Sequence, residues 1–472
     1  MANKVVKAGL GYTIGNYFIK GLVFLTLPIF TRIMNPSDFG LYNIFVAGEG
    51  ILAVVIGFAF HTTYKNAWYK YRSSCPSSVV TYDQYVSSTI ILILLNSLVW
   101  FIFVLLFSSY LTDLLLLDTL SLMLLVVYST SMAILGCYNS HIAIQYKYKD
   151  FIIISFINAF FNILLSVFLI LTIFENDSYI GRIVGTTFPA MLISALLAYK
   201  LIRKGRTFRP KALKWGLSYS LPIIPNGIGQ VILSQFDRMM INKMISPFHA
   251  GLYSFAFNIF GIVNVTAISL DNAWSPWLYE KMDSKEYDKI KDRSSMYMLV
   301  IFLLSSLLML ICPEVICFLA TPVYYESVYS AIPLIAGGFF LFLSSLPISV
   351  EYYYEKTKLI AVATFLAAIL KIILNVVFLN EYGSISAGYT TLVTYIAYFI
   401  FHYTVAYKVF GGALFDMSHI LKYSLGIIMV LFVSILLIDY QYIRWAMGFI
   451  MFLSLIYVEE TYIGIIRNYL RS

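Results

Sequence analysis

The sequence predicts an all-α integral membrane protein of about fourteen transmembrane helices. They form two parallel six-helix repeats followed by two further helices. Three observations predict this class: a composition too apolar for a water-facing surface, a succession of apolar runs about 20 residues long, and a set of short motifs repeated at a near-constant offset. Of the 472 residues, 60% are hydrophobic and 12% are charged, with a mean hydropathy of +0.82. Ordinary soluble domains carry roughly 25% charged residues. The net charge is +8. Topology accounts for that sign, because cytoplasmic loops of membrane proteins accumulate Lys and Arg, so no nucleic-acid partner is implied. Four scattered cysteines (Cys75, Cys137, Cys312 and Cys317) imply no disulfide framework.

Taken in order, the apolar runs place spans at 9–31, 40–60, 87–110, 119–141, 151–174, 179–200, 215–235, 250–272, 295–320, 329–350, 359–380, 386–407, 422–439 and 443–465. The basic start is followed by an apolar run with no small-residue cleavage site, and is expected to be a retained first span. With the N-terminus inside, the inner segments hold 25 of the 32 basic residues. Asp113, Asp118, Glu175, Asp177, Glu314, Glu326 and Glu381 fall outside. One missed span would scramble this bias, so it supports the spans and the orientation together. Both termini come out cytoplasmic. The segment 200–214 carries seven basic residues and a proline and reads as a cytoplasmic linker. The expected domains are therefore 1–199, a first six-helix bundle; 200–214, the linker; 215–408, a second bundle; and 409–472, two additional helices.

The bundles repeat. Pro36, Gly40, Leu41 and Tyr42 match Pro247, Gly251, Leu252 and Tyr253 at an offset of 211. Asn66-Ala67-Trp68 matches Asn272-Ala273-Trp274 at 206, and Tyr146 matches Tyr354 at 208. Six spans per repeat is an even number, so both copies point the same way. Secondary transporters built so often place the substrate site between the copies.

The chain resembles the bacterial polysaccharide exporters, the O-antigen and capsule flippases of the multidrug/oligosaccharidyl-lipid/polysaccharide superfamily. The resemblance is carried by TRIMNPSDFGLYNIF (31–45), by SYSLPIIPNGIGQVILSQFDRMMINKMISPFHAGLYSFAF (218–257) and by YYYEKTKLIAVATFLAAILKIILNVVFLNEYGSISAGYTTL (352–392). With length and span count it covers nearly the whole chain. It implies a fold similar to the multidrug and toxic-compound extrusion transporters. It also implies flipping of an undecaprenyl-pyrophosphate-linked oligosaccharide across the bacterial inner membrane, with membrane lipids and a polysaccharide polymerase as partners. A cation-coupled drug exporter of the same fold and a membrane polysaccharide polymerase are the alternatives.

Ionisable residues within spans are costly and mark functional candidates. Lys20 lies twelve residues before Arg32, roughly 18 Å along a helix, and Lys371 is central in the eleventh span. Both are candidates to attract the pyrophosphate from a central cavity, since Lys is a compact charge suited to phosphate. Glu49, at similar depth to Lys20, is a candidate for proton or sodium coupling; the other reading pairs it with Lys20. Asp237, Arg238 and Arg182 fall near the outer face as a gate or as interface anchors whose cations snorkel. Pro222, Pro225 and Gly227 interrupt the seventh span and are candidate hinge residues. No Gly-rich phosphate loop with a following Lys-Ser/Thr occurs, so no nucleotide hydrolysis is expected. The five histidines lack metal-ligand spacing, and no resident cofactor or metal is expected. No sizeable outer loop offers paired carboxylates for glycosyl transfer. The chain is therefore expected to be a transporter, not an enzyme.

Overall fold

A computed structural model describes residues 11, 12, 15, 21, 24–71 and 80–469. Every regular element among them is helical. In order these are α1 (Phe24–Ile33), α2 (Pro36–Ile56), α3 (Tyr64–Lys70), α4 (Tyr82–Leu106), α5 (Ser108–Leu115), α6 (Thr119–Ile144), α7 (Tyr148–Thr172), α8 (Ser178–Gly205), α9 (Pro210–Ser220) and α10 (Ile224–Met244). There follow α11 (Pro247–Asp283), α12 (Tyr287–Leu310), α13 (Cys312–Leu319), α14 (Val328–Tyr353), α15 (Thr357–Tyr382), α16 (Ser386–Phe410), α17 (Met417–Leu436) and α18 (Gln441–Tyr469). Ten helices among the described residues are long and apolar enough to cross a membrane. The chain is a multi-pass, all-α membrane protein.

Local chemistry sets the helix starts. Asn35 caps α2 by accepting from the Asp38 amide, and Pro36 occupies the first turn, where its missing N–H costs nothing. Thr81 and Gln84 form a reciprocal capping box at α4, and Asp118 caps α6. The helix ends after α6 and α14 repeat one another. Lys147 N–H donates to the Ile142 carbonyl (3.1 Å), and Lys356 N–H donates to the Glu351 carbonyl (2.8 Å). Each closes a Schellman-type turn over one left-handed residue, Tyr146 at φ 58° and Glu355 at φ 57°.

Three spans depart from the sequence expectation in shape. The region 215–235 is not one helix: a 3-10 turn at Leu221–Ile223 separates α9 from α10. Pro222 and Pro225 withhold two amides from the ladder there, which is why the helix breaks. The span expected at 250–272 continues to Asp283 as a 37-residue helix, about 55 Å long, so it outreaches the hydrocarbon layer. The region 295–320 divides at Ile311 into α12 and α13, with Pro313 in the first turn of α13.

By contacts the chain divides into unit 1, Met1–Gly251, and unit 2, Leu252–Ser472. In unit 1, α8 packs on α4, α6 and α7, while α2 packs on α6 and α10. The repeat arithmetic groups α9 and α10 with the second half, whereas their contacts lie with the first unit. In unit 2, α14 packs closely along α16, α16 along α15, and α12 along α14, α17 and α18. Between apolar helices in lipid, association rests on close packing. Phe45, Phe60, Tyr64 and Tyr85 are fully buried in unit 1, as are Trp274, Phe255, Phe339 and Tyr395 in unit 2. Ile153, Phe156, Phe160, Leu164, Phe168 and Leu171 run exposed along α7, a stripe that hydrocarbon solvates and water does not.

Candidate functional site

Each unit holds a buried cation inside a small polar cluster, and the two clusters are built from corresponding parts of the repeat. In unit 1 the motif tyrosine, Tyr42 on α2, lies 3.4 Å from the Thr186 hydroxyl on α8. Thr186 and Arg182 both donate to Asn162 Oδ1 on α7, at 3.4 and 2.8 Å. The Arg182 guanidinium lies 3.6 Å from the centroid of the Phe30 ring and 4.9 Å from that of Tyr42. Ring faces attract cations, most strongly where water is excluded, and Arg182 is only 9% exposed. It is thus turned inward among aromatics and an amide and does not snorkel to a surface.

In unit 2 the second motif tyrosine, Tyr253, lies 3.3 Å from the Thr391 hydroxyl on α16. The neighbouring Thr390 donates to Asn375 Oδ1 on α15 (2.5 Å). One turn before Asn375, the Lys371 ammonium lies 5.8 Å from the centroid of the Tyr395 ring. Lys371 is 1% exposed, so in this conformation no open space reaches it. A tyrosine, a threonine, an asparagine and a cation recur in each unit. The cation has changed helix, from α8 in unit 1 to α15 in unit 2.

The other expected residues fall as follows. Lys20 lies outside the described residues, so its pairing with Glu49 does too. Glu49 is half-buried on α2, two turns beyond Tyr42, and its charge acts on Tyr128 of α6. Asp237 and Arg238 on α10 are buried, 1% and 4% exposed, and Arg238 donates to Gln235 Oε1 one turn away. Their burial does not fit interface anchors reaching for a surface. Pro222 and Pro225 are exposed beside the 3-10 turn, and Gly227 faces Val54 of α2.

Sequence reasoning missed two long-range polar pairings in unit 2. His402 Nδ1 and Glu351 Oε1 are 2.6 Å apart and fully buried between α16 and α14. Arg444 forks onto both Glu314 oxygens (2.7 and 2.8 Å) and also donates to the Leu310 and Leu437 carbonyls, tying α18 to α12 and α13. The partners are 51 and 130 residues apart, so no local spacing announces them. Two apolar grooves, of about 470 Å³ along α15–α16 and about 650 Å³ along α7–α8, are lined by neither Lys371 nor Arg182. Among the described residues no group of His, Cys, Asp and Glu side chains is arranged to hold a metal ion.

Comparison with known proteins agrees with this architecture. A family model described as polysaccharide biosynthesis protein matches residues 5–282. An "uncharacterized membrane protein" of Haemophilus influenzae is 29% identical over 219 residues, 42% of this chain and 52% of the relative. The chain thus spans about half the length of that relative. The structure of the lipid II flippase MurJ in an inward closed conformation superposes with a TM-score of 0.73 at 17% identity, covering 95% of this chain and 99% of MurJ. An inward-facing MATE family multidrug resistance transporter of the MOP superfamily gives 0.66 at 14% identity, over 83% and 96% of the two chains. The Vibrio cholerae MATE transporter VcmN in its bent form gives 0.51 at 14%, over 86% and 96%. At these identities the structural likeness establishes the fold. The family match covers more than half of the sequence, and the chain accordingly belongs to the polysaccharide biosynthesis protein family, as a multi-pass membrane protein of the MurJ and MATE fold.

Proposed function

We propose that the protein flips an undecaprenyl-pyrophosphate-linked oligosaccharide from the cytoplasmic to the outer leaflet of the bacterial inner membrane, for O-antigen or capsule synthesis. The observation that carries this reading is the pair of repeat-related buried cations, Arg182 and Lys371, each set against aromatic rings and an amide. A cation held at membrane depth against aromatic rings suits a diphosphate that must pass through hydrocarbon. Arg182 donates to a neutral amide and rests on rings, so dipoles and quadrupoles help to compensate its charge. The likeness to a lipid II flippase supports the same substrate class. Transport proceeds by alternating access between the bundles 1–199 and 215–408, with Lys20 and Lys371 meeting the pyrophosphate when the cavity opens, and with bending at Pro222, Pro225 and Gly227. Glu49 serves proton or sodium coupling, and a polymerase takes the product outside.

A drug exporter of the same fold is the second reading, favoured by the MATE likeness. Hydrophobic cations need acidic cavities, and two buried cations repel them. The deciding experiment loads undecaprenyl-pyrophosphate glycan into the inner leaflet of proteoliposomes and follows its exposure to an external glycosidase. Protein-dependent exposure is expected, and Lys371→Ala should lower its rate at least tenfold, about 1.4 kcal/mol of barrier, with membrane insertion intact. Exposure no faster than in protein-free liposomes overturns the flippase reading. Unimpaired flipping by Lys371→Ala overturns the role of that lysine.

A further inference from the structure

Positive charge is spread unevenly over this chain. The segment 200–214 holds seven Lys and Arg residues and no carboxylate. A second basic segment, 280–293, holds five Lys and Arg residues and five Asp and Glu residues. There the charges cancel in place, with Glu286 pairing with both Lys281 and Lys289. Among the described residues, 200–214 forms one ion pair, Lys204 to Asp83 of α4 at 3.0 Å. Membrane orientation does not account for the difference. The signal that sets orientation counts Lys and Arg, and acidic residues contribute little to it. Five cations interleaved with five carboxylates serve that purpose, so a segment stripped of carboxylates calls for a second reason.

The surplus charge is rigidly mounted. Arg203 and Lys204 lie in the last turn of α8, and α9 begins at Pro210. The Arg209 amide donates to Ser88 Oγ on α4 at 2.9 Å. Trp215 of α9 stands edge-on to Tyr71 and Tyr85, with ring centroids 5.5 and 5.7 Å apart. The Lys70 ammonium of α3 lies 4.3 Å from the Trp215 ring centroid and adds a further cation at this end of unit 1. Ala212, Leu213, Gly216 and Ser220 are buried. Lys211, Lys214 and Ser218 are exposed, and their spacing of three and four places them on one helix face. The buried face fixes α9 in place, and its lysines are left on the outside.

The surroundings say what such a surface meets. Arg203, Arg206, Lys211 and Lys214 are exposed, and so are Tyr199, Phe208, Tyr219 and Leu221 between and beside them. Cations interleaved with rings and apolar side chains suit the boundary between phosphate headgroups and acyl chains. The depth agrees, since α8 is long and apolar enough to cross a membrane and the cations begin in its last turn.

We propose that Arg203, Arg206, Lys211 and Lys214 form a docking surface for the headgroups of anionic phospholipids. Each cation near an anionic lipid surface strengthens binding roughly fivefold. The surface goes beyond the flippase reading and does not rest on it. The test involves no transport, so the two ideas fail separately.

The purified full-length chain in detergent is titrated with phosphatidylglycerol, and its thermal unfolding midpoint is followed. A ligand that binds only the folded state raises the midpoint and saturates. The wild type should show such a rise, larger than with phosphatidylcholine of the same acyl chains. Sodium chloride at about 0.5 M should weaken it by screening. Arg203→Gln, Arg206→Gln, Lys211→Gln and Lys214→Gln combined should weaken the apparent Kd at least about tenfold. A control removes the same charge from exposed positions elsewhere, by Lys356→Gln, Lys358→Gln, Lys408→Gln and Lys422→Gln combined. It should bind within about twofold of the wild type. Equal responses to the two lipids overturn the proposal, as does a wild-type Kd in the first variant. An equal loss in the control also overturns it and assigns the effect to net charge. The same saturating rise with inorganic phosphate or polyglutamate overturns it in favour of a soluble anion or an acidic protein. Should the fourfold variant not fold, Lys211→Gln with Lys214→Gln should still weaken the Kd at least about fivefold, and an unchanged Kd there is the overturning result.

Discussion

Arg182 illustrates how a single buried charge is tolerated in this protein. Its guanidinium is set on the Phe30 ring and donates to Asn162, which also accepts from Thr186. The Lys371 ammonium likewise lies beside an aromatic ring, that of Tyr395. Outside the membrane-spanning helices, Glu286 is the opposite case. Lys289, Lys281 and Ser284 donate to its carboxylate, in that order of weight, and hold its pKa down from the ordinary 4.5 to about 2. A depressed carboxylate stabilises the fold above its unfolded value and loses that contribution as pH falls through its folded value. The contribution of Glu286 is therefore complete above pH 4.5 and disappears between 4.5 and about 2. Glu286→Gln should lower the thermal midpoint slightly at pH 7 and flatten its decline through that acid window. The effect is small because the group is partly exposed and water screens it. Superimposable midpoint–pH curves for variant and wild type would show that these contacts do not persist in solution.

At the scale of elements, close helix crossings decide what the interior accepts. Gly185 places α8 so near α7 that a Cβ would stand 2.4 Å from Ser166 Oγ and 2.5 Å from Ser166 Cα. Gly388 does the same for α16 against α14, 2.8 Å from the Ser330 carbonyl oxygen. Because part of the Gly185 obstruction is backbone, no rotamer change relieves it. Gly185→Val should destabilise the chain by about 1–3 kcal/mol. Gly136 on α6 has nothing within 4 Å of its virtual Cβ, so Gly136→Ala should be neutral or stabilising by up to about 1 kcal/mol through helix propensity. Denaturant unfolding of the two variants in detergent checks the contrast. Equal effects would mean that the α7–α8 crossing is not as close as described. Most helices were legible in the sequence because length and apolarity suffice to define them. The break at Leu221–Ile223 was legible as Pro222 and Pro225. The 37-residue reach of α11 was not, since its polar end reads like a loop and only continued backbone hydrogen bonding makes it helix.

For the whole molecule the measurable quantity is orientation. The excess of Lys and Arg in alternate segments leads us to propose that the turn at Lys285 lies on the cytoplasmic side and Asp177 outside. Both residues are exposed. In a background with Cys75, Cys137, Cys312 and Cys317 replaced, a membrane-impermeant maleimide should label Asp177→Cys in intact spheroplasts. Lys285→Cys should react only after permeabilisation. The reverse pattern would invert the topology, and with it the direction of the proposed flipping.

The sequence by itself determined the solvent of this protein, the approximate place of most helices, the repeat and the family. These follow from composition and from residues close together along the chain, where periodicity and turn chemistry act directly. It also singled out Lys371 and Arg182 as charges within or beside spans. Only the tertiary structure decided what those charges touch. Arg182 turned out to be buried against Phe30, about 150 residues earlier in the chain. Glu351 met His402, and Glu314 met Arg444. The physical reason is common to all of these. A buried polar group is judged by the partners that packing brings to it, and packing joins helices whose separation along the chain carries no local signal.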